Sequence, residues 1–100
     1  MKIEIQETDG VYTAQIEGLI DTAMAAEFNE KIQPLMENAD KQIVLDCSKL
    51  SYISSSGLRT FLTLRKECAE KGGNVVITNI NEQVRKVFKM TGFFNLFEVK

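Results

Sequence analysis

The chain predicts an α/β domain built on one mixed, mostly parallel sheet of four to five strands, opened by an antiparallel hairpin and covered by about three helices. Three observations predict it. Two short apolar runs, Ile43-Val44-Leu45 and Val75-Val76-Ile77, have the continuous character of strands buried in a parallel sheet. Each is followed by a stretch with apolar residues at helical spacing. Ahead of both, Ile3 and Ile5 alternate with polar residues and lead through Asp9-Gly10, a favoured hairpin-turn pair, into a second run at Val11 to Glu17. The resulting order is β-β-α-β-α-β-α with room for one closing strand, and right-handed crossovers lay the helices on the sheet.

Taken in order, the two hairpin strands end at a break, Gly18-Leu19-Ile20-Asp21-Thr22. Ala25, Phe28, Ile32, Leu35 and Met36 then recur at helical spacing, predicting a first helix from about Thr22 to Asn38 with Asp21 as its cap. Pro34 lacks an N–H and should bend that helix or loosen its last turn. Gln42 to Asp46 predicts a central strand covered on both faces. The second helix follows Ser54-Ser55-Ser56-Gly57, with Leu58, Phe61, Leu62, Arg65 and Cys68 or Ala69 on one side and Arg59, Lys66, Glu67 and Glu70 largely on the other. Gly72-Gly73 stops it. After the third strand, Asn81 caps a helix with Val84, Val87, Phe88 and Thr91 on one face, ended by Gly92. The Phe-rich ending should pack into the core, with an edge strand near Leu96 to Val99.

With 100 residues, 44% of them hydrophobic, residues 1–100 form one domain around one core. Twelve Lys and Arg against 14 Asp and Glu give a charge of -2, so there is no basic footprint for nucleic acid. Cys47 and Cys68 lack metal-ligand spacing and read as packing residues in a reduced, cytoplasmic setting. Met1 to Gln6 alternates from the start, unlike a signal peptide, and no apolar run approaches the roughly 20 residues that a membrane crossing needs. Histidine is absent, which removes the commonest general base and zinc ligand. The expectation is a non-enzyme with no catalytic residue, no metal and no cofactor.

In open α/β sheets, sites form where the carboxyl end of a strand feeds a helix, and the serine run occupies such a loop. A helix N-terminus carries about four unpartnered N–H groups and a partial positive charge, so a phosphate on one of these hydroxyls would be stabilised. On local composition alone plain capping is the favoured reading of small hydroxyls there, and Gly57 could serve an unusual dihedral or close packing against the strand. Asp46 reads as a structural strand-end carboxylate, Tyr52 and Ile53 as a packing pair, and Arg59 and Arg65 as either partner contacts or solvated charge. A hydrolase using Ser55 as nucleophile would have only Lys49 nearby as a base.

The segment Ile43 to Leu58, with its apolar strand, Asp46, the pair Tyr52-Ile53 and then Ser54-Ser55-Ser56-Gly57-Leu58, resembles the signature of the STAS domain of bacterial anti-sigma factor antagonists. Gly18-Leu19-Ile20-Asp21 is similar to the stretch before that family's first helix, and Ile80 to Phe94 to its closing helix. The resemblance implies that Ser55, with Ser56 as the alternate, is phosphorylated by a partner that is both anti-sigma factor and serine kinase, and restored by a serine phosphatase. It implies that the unphosphorylated form binds the anti-sigma factor and frees the sigma factor, with Asp21, Ser54, Ser55, Ser56, Gly57 and Arg59 at the contact. Ser54 stands where the family pattern has Asp, and Leu19 where it has Glu. STAS-like domains also serve as accessory subunits of membrane transport systems, an alternative without a phosphorylation switch.

Overall fold

A computed structural model describes all residues, Met1–Lys100. In chain order the elements are β1 (Lys2–Thr8), β2 (Val11–Ile20), a 3-10 turn (Thr22–Met24), α1 (Ala25–Lys31), α2 (Gln33–Glu37), β3 (Gln42–Ile53) and α3 (Ser55–Lys71). Then come β4 (Asn74–Thr78), α4 (Glu82–Thr91), a second 3-10 turn (Phe93–Asn95) and β5 (Glu98–Val99). The five strands lie side by side in sequence order. β1 is antiparallel to β2, and the other three pairings are parallel.

The predicted hairpin forms because Asp9 and Gly10 take φ values of 52° and 82°, joining Thr8 to its partner Val11. Two left-handed residues give a turn whose twist matches that of the flanking strands. The predicted first helix is broken rather than bent. Ile32, at φ -92° and ψ 4°, separates α1 from α2, and Pro34 sits in the first turn of α2, where its missing N–H costs nothing.

Two expectations for the central strand are corrected. β3 does not end at Asp46 but runs twelve residues to Ile53. Asp46 faces Gln15 while Lys49 faces Glu17, and Leu50 faces Gly18 while Tyr52 faces Leu19, so β3 carries one extra residue at each of two steps. These are bulges, and they lengthen the spacing of the buried residues Cys47, Leu50 and Ile53 from two to three, leaving Ser48, Lys49, Ser51 and Tyr52 exposed. Nor is β3 covered on both faces: Ile43, Leu45 and Cys47 are buried, whereas Val44 and Asp46 between them are half-buried. The helices cover one face of the sheet. The other is open and polar, with Glu4, Gln6, Thr13, Gln15 and Asp46 around a hollow of about 150 Å³.

On the covered face, residues from β2, β3, β4 and all four helices join one core with Phe93 and Phe97 of the ending. An aromatic chain crosses it, with ring centroids 5.8 Å apart for Phe28 and Phe61, 6.4 Å for Phe61 and Phe97, and 5.3 Å for Phe97 and Phe93. The Phe-rich ending is thus core, and its predicted edge strand shrinks to Glu98–Val99, paired with Val76 and Ile77 of β4. The inward stripe of α3 is Gly57, Leu58, Thr60, Phe61, Leu64 and Cys68, while Leu62, Arg65 and Ala69 are exposed. That face is rotated from the expected one, and burying Leu64 in full is worth about 1.5–3 kcal/mol. α4 forms as expected between Asn81 and Gly92. Both cysteines are free and buried; burial, reinforced by the neighbouring Asp46 carboxylate, pushes the Cys47 thiol up to about 12. No helix is long and apolar enough to cross a membrane.

Candidate functional site

The last residues of β2 and β3, Ile20 and Ile53, are register partners, and the Ser54 N–H donates to the Ile20 carbonyl at 2.8 Å. Asp21 and Ser54 therefore leave the sheet side by side, and each starts a turn. Asp21 Oδ1 accepts from the Met24 N–H at 2.9 Å, closing the 3-10 turn. Ser54, extended at φ -83° and ψ 171°, accepts from the Gly57 N–H at 3.3 Å, and its carbonyl takes the Leu58 N–H at 2.9 Å. Capping is the right reading for Ser54.

Gly57 is required by close approach, not by a dihedral. A Cβ there would lie 2.8 Å from Ile53 Cγ1 and 2.9 Å from Ile20 Cγ2, so the missing side chain is what lets α3 begin directly on the strand ends. The serines then divide by depth. Ser54 is 7% exposed and Gly57 is buried, whereas Ser55 is exposed and Ser56 half-buried. Ser55 is the first residue of α3, and the first turn of that helix carries no acidic side chain. Its hydroxyl meets solvent at a helix end whose partial positive charge is unopposed.

One turn on, Arg59 is exposed, in line with Ser55 on the outer side of α3. Beneath them Thr60, buried in the apolar stripe, hydrogen-bonds Asn29 Oδ1 of α1 and lies 3.5 Å from the Ser56 carbonyl. Thr60 escaped the sequence reading; its signal was a lone hydroxyl at an inward helical position. Tyr52 corrects an expectation. Ile53 packs, but the bulge before it turns Tyr52 outward, 46% exposed, beside its register partner Leu19 at 47%.

Asp46 lies upstream on β3, half-buried, and accepts from the Ser48 N–H at 3.0 Å and from Asn79 Nδ2 at 3.3 Å. Partial burial pushes its carboxyl up, but the bonds from Ser48, Asn79 and Gln15 outweigh that and hold it below the usual carboxylate range. It ties β3 to the loop after β4. Lys49 faces the open side of the sheet, in a hollow with Lys2, Glu4, Gln15 and Glu17. None of the four surface hollows takes in Ser54, Ser55 or Ser56. The largest, about 380 Å³, lies between α2 and α3 against Gln33, Met36, Thr63, Glu67 and Lys71.

Fold and site together define a small α/β domain that holds an accessible serine at a sheet-to-helix junction, outside any cleft. The STAS domain profile matches residues 2–100. BtrV of Bordetella bronchiseptica, provisionally named an anti-sigma factor antagonist, is 31% identical over 99 residues, covering 99% of this chain and 85% of that protein. The anti-sigma-B factor antagonist of Bacillus subtilis is 28% identical over 100 residues, covering 99% of this chain and 90% of that one. Among solved structures, an anti-sigma factor antagonist from Thermotoga maritima, also provisionally named, superposes with a TM-score of 0.87 at 20% identity, covering 97% of this chain and 84% of that one. The chain belongs to the STAS domain family, among its anti-sigma factor antagonists.

Proposed function

We propose that the unphosphorylated chain binds an anti-sigma factor with serine kinase activity, releasing the sigma factor, and that phosphorylation of Ser55 ends the binding. The observation that carries this reading is the exposure of Ser55 as the first residue of α3, directly after the buried cap Ser54 and two residues before the buried Gly57. In the transfer, Ser55 Oγ attacks the γ-phosphorus of ATP held by the kinase. A new O–P bond forms as the bond to ADP breaks, and the hydroxyl proton passes to a base on the kinase. Hydrolysis by a serine phosphatase returns the hydroxyl and inorganic phosphate.

A phosphoserine adds about -1.5 to -2 charge and three acceptor oxygens, which the helix N-terminus accommodates. A fold tolerant of phosphate is supported by SpoIIAA, a relative known in unphosphorylated and phosphorylated forms, which superpose on this chain with TM-scores of 0.78 and 0.72. The partner bears the change instead. Asp21, Ser55, Ser56 and Arg59 supply the contact surface, with Ser54 and Gly57 fixing it from beneath. A dianion buried against a surface shaped for a neutral hydroxyl costs several kcal/mol, and each ~1.4 kcal/mol is tenfold in affinity.

The test is to incubate the chain with the kinase and ATP, map the phosphate by mass spectrometry, and measure partner affinity. Label on Ser55, kept in Ser56→Ala, and at least tenfold weaker binding by Ser55→Asp are expected. Label outside Ser54 to Ser56, or undiminished binding by Ser55→Asp, overturns the reading.

A further inference from the structure

We propose that a phosphate on Ser55 is held within the chain by Arg59, so that modification withdraws that guanidinium from the partner while adding charge. The inference rests on the reading of Ser55 as the phosphorylated residue. The two side chains stand at i and i+4 on α3, a spacing that brings Cβ atoms within about 5–6 Å on one face of a helix. Both are exposed. Arginine suits the task because its planar fork can meet two phosphate oxygens at once.

The arginines themselves supply the second observation. Arg65 Nε donates to the Leu96 carbonyl at 2.6 Å, and Arg85 pairs with Glu82 at 3.8 Å and lies over the Phe94 ring. Arg59 has no such partner. The Arg85 pair is also a template, since Glu82 is the first residue of α4 and reaches forward one turn to its arginine. α3 has its cation one residue further along, Arg59 at i+4 from Ser55 where α4 has Arg85 at i+3 from Glu82, and, until Ser55 is modified, no anion to meet it.

Other charges around the junction do not compete for Arg59. Asp21 beside the serine loop is committed to the Met24 N–H, and on α1 Glu27 pairs with Lys31 at 3.7 Å while Glu30 is solvated. From the strands, Glu17 and Lys49 face the open side of the sheet, and further along α3 Glu67 pairs with Lys71 while Lys66 is exposed.

The test uses the full chain alone, with phosphoserine incorporated at position 55 during synthesis, and follows the phosphate by phosphorus NMR against pH. A nearby cation favours the dianion and lowers its second pKa from about 6. The arginine form should titrate about half a unit below Arg59→Gln, with Arg59→Lys between them, and the difference should shrink in ~1 M salt. The helix terminus is common to all three forms and cancels. Equal titration of the arginine and glutamine forms overturns the proposal. Because neither kinase nor partner enters the measurement, that outcome leaves the Ser55 switch standing, and failure of a kinase to label Ser55 leaves the titration intact.

Discussion

The junctions that open α3 and α4 begin alike and finish differently. Ser54 and Asn81 have nearly the same extended backbone, φ -83° and ψ 171° against φ -85° and ψ 179°, and each side chain accepts the N–H of the residue three further on. Beyond the cap they diverge. α4 opens on Glu82, an anion already suited to a helix N-terminus and tied to Arg85, whereas α3 opens on Ser55, neutral and exposed. At the third helical position α4 carries Val84 and α3 carries Gly57, which lies against the strand ends. One junction is electrostatically complete. The other has the same backbone design without an anion at its first position, and that difference, rather than the cap, is the one on which the proposed switch at Ser55 rests.

The third position should give the largest effect. Gly57→Ala inserts a methyl at 2.8–2.9 Å from Ile53 and Ile20, and we expect a loss of about 1–3 kcal/mol in denaturant unfolding, with partner binding falling as α3 shifts. Unchanged stability would mean that the strand ends give way freely. The caps come next. Ser54→Ala should cost about 1 kcal/mol, and Asn81→Ala more, up to about 2, since Asn81 Nδ2 also donates to the Leu50 carbonyl at 2.9 Å.

Charge exchange at the first helical position should move the two junctions in opposite directions. Ser55→Asp is expected to stabilise by about 0.3–1 kcal/mol and Glu82→Gln to destabilise by a similar amount, thermal midpoint shifts of roughly 2–5 °C that shrink with added salt. If Ser55→Asp lowers the midpoint, the end of α3 is not the open anion position described above. The smallest effect concerns Asp46, which joins the strand of one junction to the loop of the other through Asn79. Its carboxyl is held below the usual range in the folded chain, so its contribution is present above about pH 4 and is lost as pH falls through the depressed folded value. Asp46→Asn should therefore flatten the acid limb of a stability–pH curve and change little near neutrality.

Much of this was legible in the sequence because local chemistry dictates it. Asp9-Gly10, Asn81, Gly92 and the serine run each announce a backbone geometry that few residues serve. What was lost depended on long-range pairing. A strand with buried residues every third position, as at Cys47, Leu50 and Ile53, matches neither strand nor helix periodicity until its partner β2 is in place, and so the sequence alone places Tyr52 with the packing residues. The open face of the sheet is hidden in the sequence because Val44, half-buried on that side, and Val76, buried there though outside the main core, make the strands look apolar throughout. At the site, composition alone could not separate Ser54 from Ser55. Burial does so, because the extended cap Ser54 turns its hydroxyl inward to the Gly57 N–H while Ser55, the first helical residue, is exposed.

The doubled bulge of β3 bears on how such a chain can diverge. By inserting Ser48-Lys49 and Ser51-Tyr52 as outward steps, it uncouples four positions from the packing that Cys47, Leu50 and Ile53 enforce. Mutation can redraw the chemistry of this border, two residues of which immediately precede Ile53-Ser54, while the interior stays constant. Descendants of one ancestral gene could in this way come to discriminate among rival partners without first becoming less stable.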